Sequence, residues 1–111
     1  MVERIKKVNE FLKRELSKII LKELDFPHGI FLTITDVETS KNMGESKVFV
    51  SVFPEKETER CLWVLKKNIY HLQQLLNKKL KTRIVPKIIF IENKKLKQAQ
   101  KVEEILKNID R

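Results

Sequence analysis

"IFLTITDVETSKNMGESKVFVSVF", residues 30–53, decides the fold. In its first half Ile30, Leu32 and Ile34 point one way, while Phe31, Thr33 and Thr35 point the other. "KVFVSVF" repeats the pattern, with Val48, Val50 and Val52 on one face and Phe49, Ser51 and Phe53 on the other. A period of two over such runs is that of β-strands. Asn42-Met43-Gly44 between them supplies turn residues, so the stretch reads as an antiparallel hairpin. One face is strongly apolar and the other mixed, which suits a sheet covered on one side.

Upstream, the period is helical. Val2, Ile5, Val8, Leu12, Leu16, Ile19 and Ile20 recur at steps of three and four, and charged residues such as Glu10 and Arg14 pair on the opposite side. Pro27 and Gly29 stop this helix before the hairpin. Downstream, a proline and acids in "PEKETERCL" mark a second helical start. Leu62, Leu65, Ile69, Leu72, Leu76 and Leu80 continue at helical spacing until the chain approaches Pro86. Residues 84–91 are rich in β-branched side chains and predict a third strand with Pro86 near its start. Leu96, Ala99, Val102, Ile105, Leu106 and Ile109 mark a terminal helix. The order is helix, strand, strand, long helical segment, strand, helix, an α+β domain.

The 111 residues suit one domain with a core of its own. A hydrophobic fraction of 41% beside a charged fraction of 35% describes a soluble chain with a heavily charged surface. No apolar run reaches the roughly 18 residues of a membrane span. The first residues mix acids and bases without the apolar core of an export signal. A single cysteine, Cys61, excludes an intrachain disulfide, so a cytoplasmic location is expected.

Charge gives the first functional clue. Residues 1–60 carry 11 Lys and Arg against 11 Asp and Glu, whereas residues 61–111 carry 13 against 4, so the net +9 lies wholly in the second half. Solubility alone does not require one neutral half and one basic half. Segregated charge of this kind suits a polyanionic partner.

Winding residues 61–81 at about 100° per residue sets the apolar stripe on one side. Trp63, Lys66, Lys67, Tyr70, Gln74 and Lys81 fall on or near the other. Aromatics among lysines suit base stacking with phosphate contact, though Trp63 is equally suited to packing beneath a neighbouring helix. Lys78, Lys79, Lys81 and Arg83 carry the charge to the helix–strand junction, and Lys87, Lys94, Lys95 and Lys97 carry it past the strand. The candidate RNA-binding set is therefore Lys66, Lys67, Tyr70, Lys78, Lys79, Lys81, Arg83, Lys87, Lys94 and Lys95.

Catalytic readings find little support. His28 and His71 are the only histidines and one cysteine gives no zinc spacing. Gly29 and Gly44 are isolated, so there is no phosphate-binding glycine loop. No cofactor, metal or small-molecule substrate is expected, and no membrane partner.

The chain resembles the ribosome-binding factor A family. The resemblance rests on the opening helix ending in Asp25-Phe26-Pro27, on "LTITDVETSKNMGESKVFVSV" with Ser40 and Lys47-Val48, on "LNKKLKTRIVPKIIF" with Arg83, Val85-Pro86 and Phe90, and on "AQKVEEILKNI". It implies a type II KH-like domain over residues 1–93, with a three-stranded mixed sheet, helices on one face and the third strand beside the first. Residues 94–111 are then a basic C-terminal helical extension. It further implies a monomer that binds the free small (30S) ribosomal subunit and its 16S rRNA, and assists late maturation and 5′-end processing without catalysis.

Such domains commonly hold single strands with a GxxG loop between two helices. The family resembled has an Ala-x-Gly kink instead, and this sequence places Asn68-Ile69-Tyr70 there. Two courses are open: Asn68 breaks the helix, or the helix runs straight. The alternatives in function are a stand-alone KH-like binder of other RNAs and a protein-interaction adaptor whose charge only solubilises it.

Overall fold

The computed structural model describes residues 2–80 and 85–94. Helix α1 spans Val2–Glu23. Its stripe buries Leu12, Leu16, Ile19 and Ile20 completely or nearly so. Gly29, at φ 92°, takes the left-handed turn after Pro27, and the Ile30 N–H donates to the Pro27 carbonyl at 3.1 Å to aim the chain into the sheet.

Strands β1 (Phe31–Thr39) and β2 (Glu45–Phe53) form the expected antiparallel hairpin. Alternation along β1 breaks once, because Ile34 pairs with Val50 and Asp36 with Phe49, leaving Thr35 as an extra residue. This β-bulge lets Ile34 and Val37, three positions apart, both face the helices. The Thr35 hydroxyl donates to the Phe49 carbonyl at 3.2 Å and accepts from the Asn93 side-chain amide at 2.7 Å.

At the hairpin tip the left-handed residue is Met43, φ 61°, rather than a glycine. Gly44 leaves room for the Asn42 side chain: a Cβ there would lie 3.0 Å from Asn42 Oδ1 and make that exposed side chain shift, and this oxygen accepts from the Gly44 N–H at 2.9 Å. Deeper in the hairpin the Ser46 hydroxyl, fully buried, bonds Thr39 Oγ1 at 2.7 Å. Thr39 in turn donates to Asn9 Oδ1 of α1 at 2.5 Å, so helix and hairpin share one polar tie.

A short 3-10 turn (Glu55–Glu57) leads into α2 (Thr58–Lys67) and α3 (Ile69–Lys79). Strand β3 spans Lys87–Glu92, starting later than the sequence suggests and leaving Val85 and Pro86 outside it. It lies beside β2 and parallel to it, not beside β1. The reason is the crossover: α2 and α3 lead off from the end of β2 and return the chain to the neighbouring position in the same direction. The Lys87 N–H donates to the Gly44 carbonyl at 3.0 Å and the Asn93 N–H to the Val50 carbonyl at 2.8 Å, bracketing the new ladder. As the central strand, β2 buries Ser46, Val48, Val50 and Val52.

The described order α-β-β-α-α-β and the mixed sheet agree with the type II KH-like α+β arrangement. All three helices lie on one sheet face. Leu65 of α2 and Leu72 and Leu76 of α3 meet Leu12 and Leu16 of α1 above Val48, Val50, Ile88 and Phe90. Full burial of each leucine stabilises by about 1.5–3 kcal/mol relative to exposure. An exposed ion pair contributes about 0–1 kcal/mol, so burial fixes the layer and surface charge only trims it.

Candidate nucleic-acid interface

The outer surface of α2 and α3 is built by what their inner surface buries. Cys61, Leu65, Leu72 and Leu76 face the sheet, which turns Trp63, Lys66, Lys67, Tyr70, Gln74 and Lys78 outward, all exposed. Trp63 is 61% exposed and Tyr70 75%, so among the described residues Trp63 does not pack beneath another helix. Lys67 Nζ instead lies 4.9 Å from the Trp63 ring centroid. A cation–π contact at such an exposed site is worth about 0.5–1 kcal/mol, little enough for a phosphate to draw the ammonium away.

Of the two courses open at the helix junction, Asn68 breaks the helix. It adopts φ −98° and ψ 9° between α2 and α3, and its side-chain amide donates to the Val64 carbonyl at 2.8 Å. An asparagine side chain that bonds backbone locally offers an alternative to continuing the helix. The break lies between Lys67 and Tyr70, in the middle of the exposed ridge.

The other candidates separate. Lys78 is exposed at the end of α3. Lys79 is turned toward α1, its Nζ 3.3 Å from Glu15 Oε2. The Glu15 side chain is only 12% exposed and also faces Arg14 at 3.6 Å and Lys18 at 3.9 Å. Burial pushes the Glu15 carboxyl up, but Lys79, Lys18 and Arg14 outweigh it and hold the group below the usual carboxylate range. Lys79 is thus partly a structural tie.

Lys87 alternates with buried Ile88 and so stands on the helix-free face of the sheet, its register partner being Glu45. Lys94 borders a hollow with Asp36, Glu38 and Phe49 on that same face. These two do not join the ridge. Lys81, Arg83 and Lys95, together with Lys97 and the terminal helix 96–109, lie outside the described residues.

One residue missed from the sequence belongs with the ridge: Arg60, exposed one helical step before Trp63 and 3.8 Å from Glu57. Extending the same spacing back by three positions finds it. Cys61, by contrast, is buried, and burial and then Glu57 raise its thiol pKa against the opposing Arg60. Among the described residues no group of His, Cys, Asp and Glu is arranged to hold a metal ion, and no helix is long and apolar enough to cross a membrane.

The family model described as Ribosome-binding factor A matches residues 4–106. A curated protein of that name from Halothermothrix orenii is 34% identical over 108 residues, covering 96% of this chain and 88% of the relative. One from Brevibacillus brevis is 36% identical over 107 residues, with the same two coverages. Among solved structures, the crystal structure of ribosome-binding factor A from Thermus thermophilus superposes with TM-score 0.69 at 27% identity, covering 79% of this chain and 94% of that one. A homology model of the Thermus thermophilus protein, fitted into the cryo-EM map of a complex with the 30S subunit, gives TM-score 0.64 at 29% identity, covering 75% and 88%.

Proposed function

Because the chain belongs to the ribosome-binding factor A family, we propose that it is an assembly factor that binds the free small ribosomal subunit and its 16S rRNA. The observation that carries the placement of its interface is the exposed ridge of α2 and α3, where Lys67 lies over Trp63 at 4.9 Å and Tyr70 stands open beyond the Asn68 break. Lys66, Lys67 and Lys78 attract phosphates, with Lys81 and Arg83 continuing the same run in sequence. Tyr70 and Trp63 offer faces on which unpaired bases stack.

The chain acts by binding and not by catalysis. A rigid domain seated on one arrangement of an rRNA junction stabilises it over the others by the difference in affinity alone. Support for late folding and for 5′-end processing follows from holding the RNA in the processed conformation. The site of action is the cytoplasm, where the subunit matures, and the working form is a monomer.

Co-sedimentation with isolated small subunits, large subunits and intact ribosomes across a salt series tests this reading. Selective retention on free small subunits is the expected result. Equal binding to all three, vanishing as salt rises, would overturn it in favour of a general RNA-binding cation.

A further inference from the structure

Helix α1 carries a line of charge that the first sixty residues, neutral as a whole, conceal. One flank of the helix is held on β1, by Asn9 on Thr39 and by Lys13 Nζ donating to the Thr35 carbonyl at 3.4 Å. The other flank is held on α3, where Glu15 meets Lys79 and Glu23 meets His71, each at 3.3 Å. Eight residues separate these two contacts on either helix, in opposite order, so α1 and α3 lie antiparallel side by side. What remains of α1 faces outward. There Arg4, Lys7, Phe11, Arg14, Lys18 and Lys22 follow at steps of three and four, and the cations are all exposed. Every turn has its cation except the one that Phe11 takes, over a length of about 27 Å. Glu3 and Glu10 fall to the β1 side of this line.

Where α1 meets α3 the charge is concentrated. Arg14, Lys18 and Lys79 converge on the Glu15 carboxylate at 3.6, 3.9 and 3.3 Å, and Lys78 stands exposed beside Lys79. Three cations against one carboxylate leave an excess of two positive charges. Glu15 lowers the cost of crowding the cations, and the excess attracts an anion at the seam between the helices. The length of the line on α1 suits a chain of phosphates better than a single compact anion.

Given that the chain binds rRNA, the reading on which this rests, we propose that the outward face of α1 is a second RNA-contacting surface. It follows the phosphate backbone of a duplex that adjoins the single strand on the α2–α3 ridge. The two surfaces differ in what they offer. Trp63 and Tyr70 present exposed rings to unpaired bases. Phe11, the only aromatic residue of α1, is half-buried, with the Arg14 guanidinium 5.7 Å from its ring centroid. Cations without an exposed ring contact the backbone and leave the bases paired. The helical layer thus fits an RNA in which a single strand meets a duplex, the strand on the ridge and the duplex along α1.

Titration of the full chain with two synthetic RNAs tests this: a short single strand, and the same strand extending from a duplex. The natural chain is expected to bind the second at least about tenfold more tightly than the first. Lys7 and Lys22 are exposed and stand seven or more residues from Glu15. Lys7→Glu with Lys22→Glu removes the gain and flattens the salt slope for the second RNA by roughly 1.5, while single-strand binding stays as it is. Lys7→Gln with Lys22→Gln gives a smaller loss of the same kind, and serves where charge reversal unfolds the chain. Equal affinity of the natural chain for both RNAs, or a gain that survives the α1 variants, overturns the assignment of α1 and leaves the ridge standing. Equal weakening of both RNAs by the α1 variants also overturns it, since α1 would then hold the single strand. Capture by vesicles containing phosphatidylglycerol that the α1 variants abolish, with both RNA affinities unchanged, would assign the face to a membrane and equally overturn it. Failure of the natural chain to bind either RNA would remove the RNA-binding function itself, and the role of α1 with it.

Discussion

The side-chain carbonyl of Gln73 accepts the Ile88 N–H at 2.9 Å, while its amide donates to the Pro86 carbonyl at 3.1 Å. Pro86, just before β3, and Ile88 within it present these groups on the same side of the chain, the edge turned away from β2. One glutamine on α3 thus closes an edge strand that would otherwise offer a donor and an acceptor to another chain. It also fixes where the exposed ridge stands relative to the sheet. Gln73→Leu keeps the volume but leaves both backbone groups unpaired at a part-buried site. The expected loss of unfolding free energy in urea is about 2–4 kcal/mol, and a loss under about 0.5 kcal/mol would remove Gln73 from this role.

Charge on the ridge should be read in the salt dependence of binding. Every phosphate that a lysine no longer neutralises lowers the slope of log affinity against log salt by about 0.7–0.9. Lys66→Glu with Lys67→Glu therefore flattens the slope for small-subunit binding by roughly 1.5, with thermal stability nearly unchanged because both lysines are exposed. An unaltered slope would place the phosphates elsewhere.

Tyr70 separates stacking from charge. At 75% exposure it contributes little to the core, so Tyr70→Ala should leave the melting temperature within a degree or two. Removing the ring on which a base stacks weakens RNA binding by about 1–3 kcal/mol. The salt slope should stay as it is. Unchanged affinity in a titration with isolated subunits would show that no base rests on this ring.

Glu15 gives the fold an acid-sensitive tie between α1 and α3. Its folded pKa is depressed, so the folded state favours the carboxylate. The stabilisation is present above the unfolded value of about 4.3 and is lost as pH falls through the lowered folded value. Glu15→Gln lacks this titration. The melting-temperature advantage of the natural chain over Glu15→Gln should therefore shrink as pH drops below about 4, and an advantage constant with pH would contradict the assignment.

Much of this was legible in the sequence, and the exceptions have physical causes. Periods of two and 3.6 located β1, β2 and the helices because burial on one face imposes them. The bulge at Thr35 was only half visible: Thr35-Asp36 interrupts the alternation and sets Val37 three positions after Ile34, but only the pairing with β2 shows which residue is extra. The neighbour of β3 was hidden: strand order depends on where a crossover returns, and the family resemblance alone suggested β1. Within the site, helical spacing brought Lys66, Lys67 and Tyr70 together correctly. It said nothing of Lys87, whose face is set by the pleat of β3, or of Lys79, which a partner on a distant helix captures.

The central claim is that the α2–α3 ridge, and not the sheet, faces rRNA. Hydroxyl radicals generated from an iron chelate tethered to an introduced cysteine test it directly, because buried Cys61 stays unlabelled. Gln74→Cys, exposed on the ridge, and Thr33→Cys, exposed on β1, provide the two origins. Cleavage of small-subunit rRNA at discrete sites is expected from Gln74→Cys, and little from Thr33→Cys. Cleavage from Thr33→Cys with none from Gln74→Cys would contradict it.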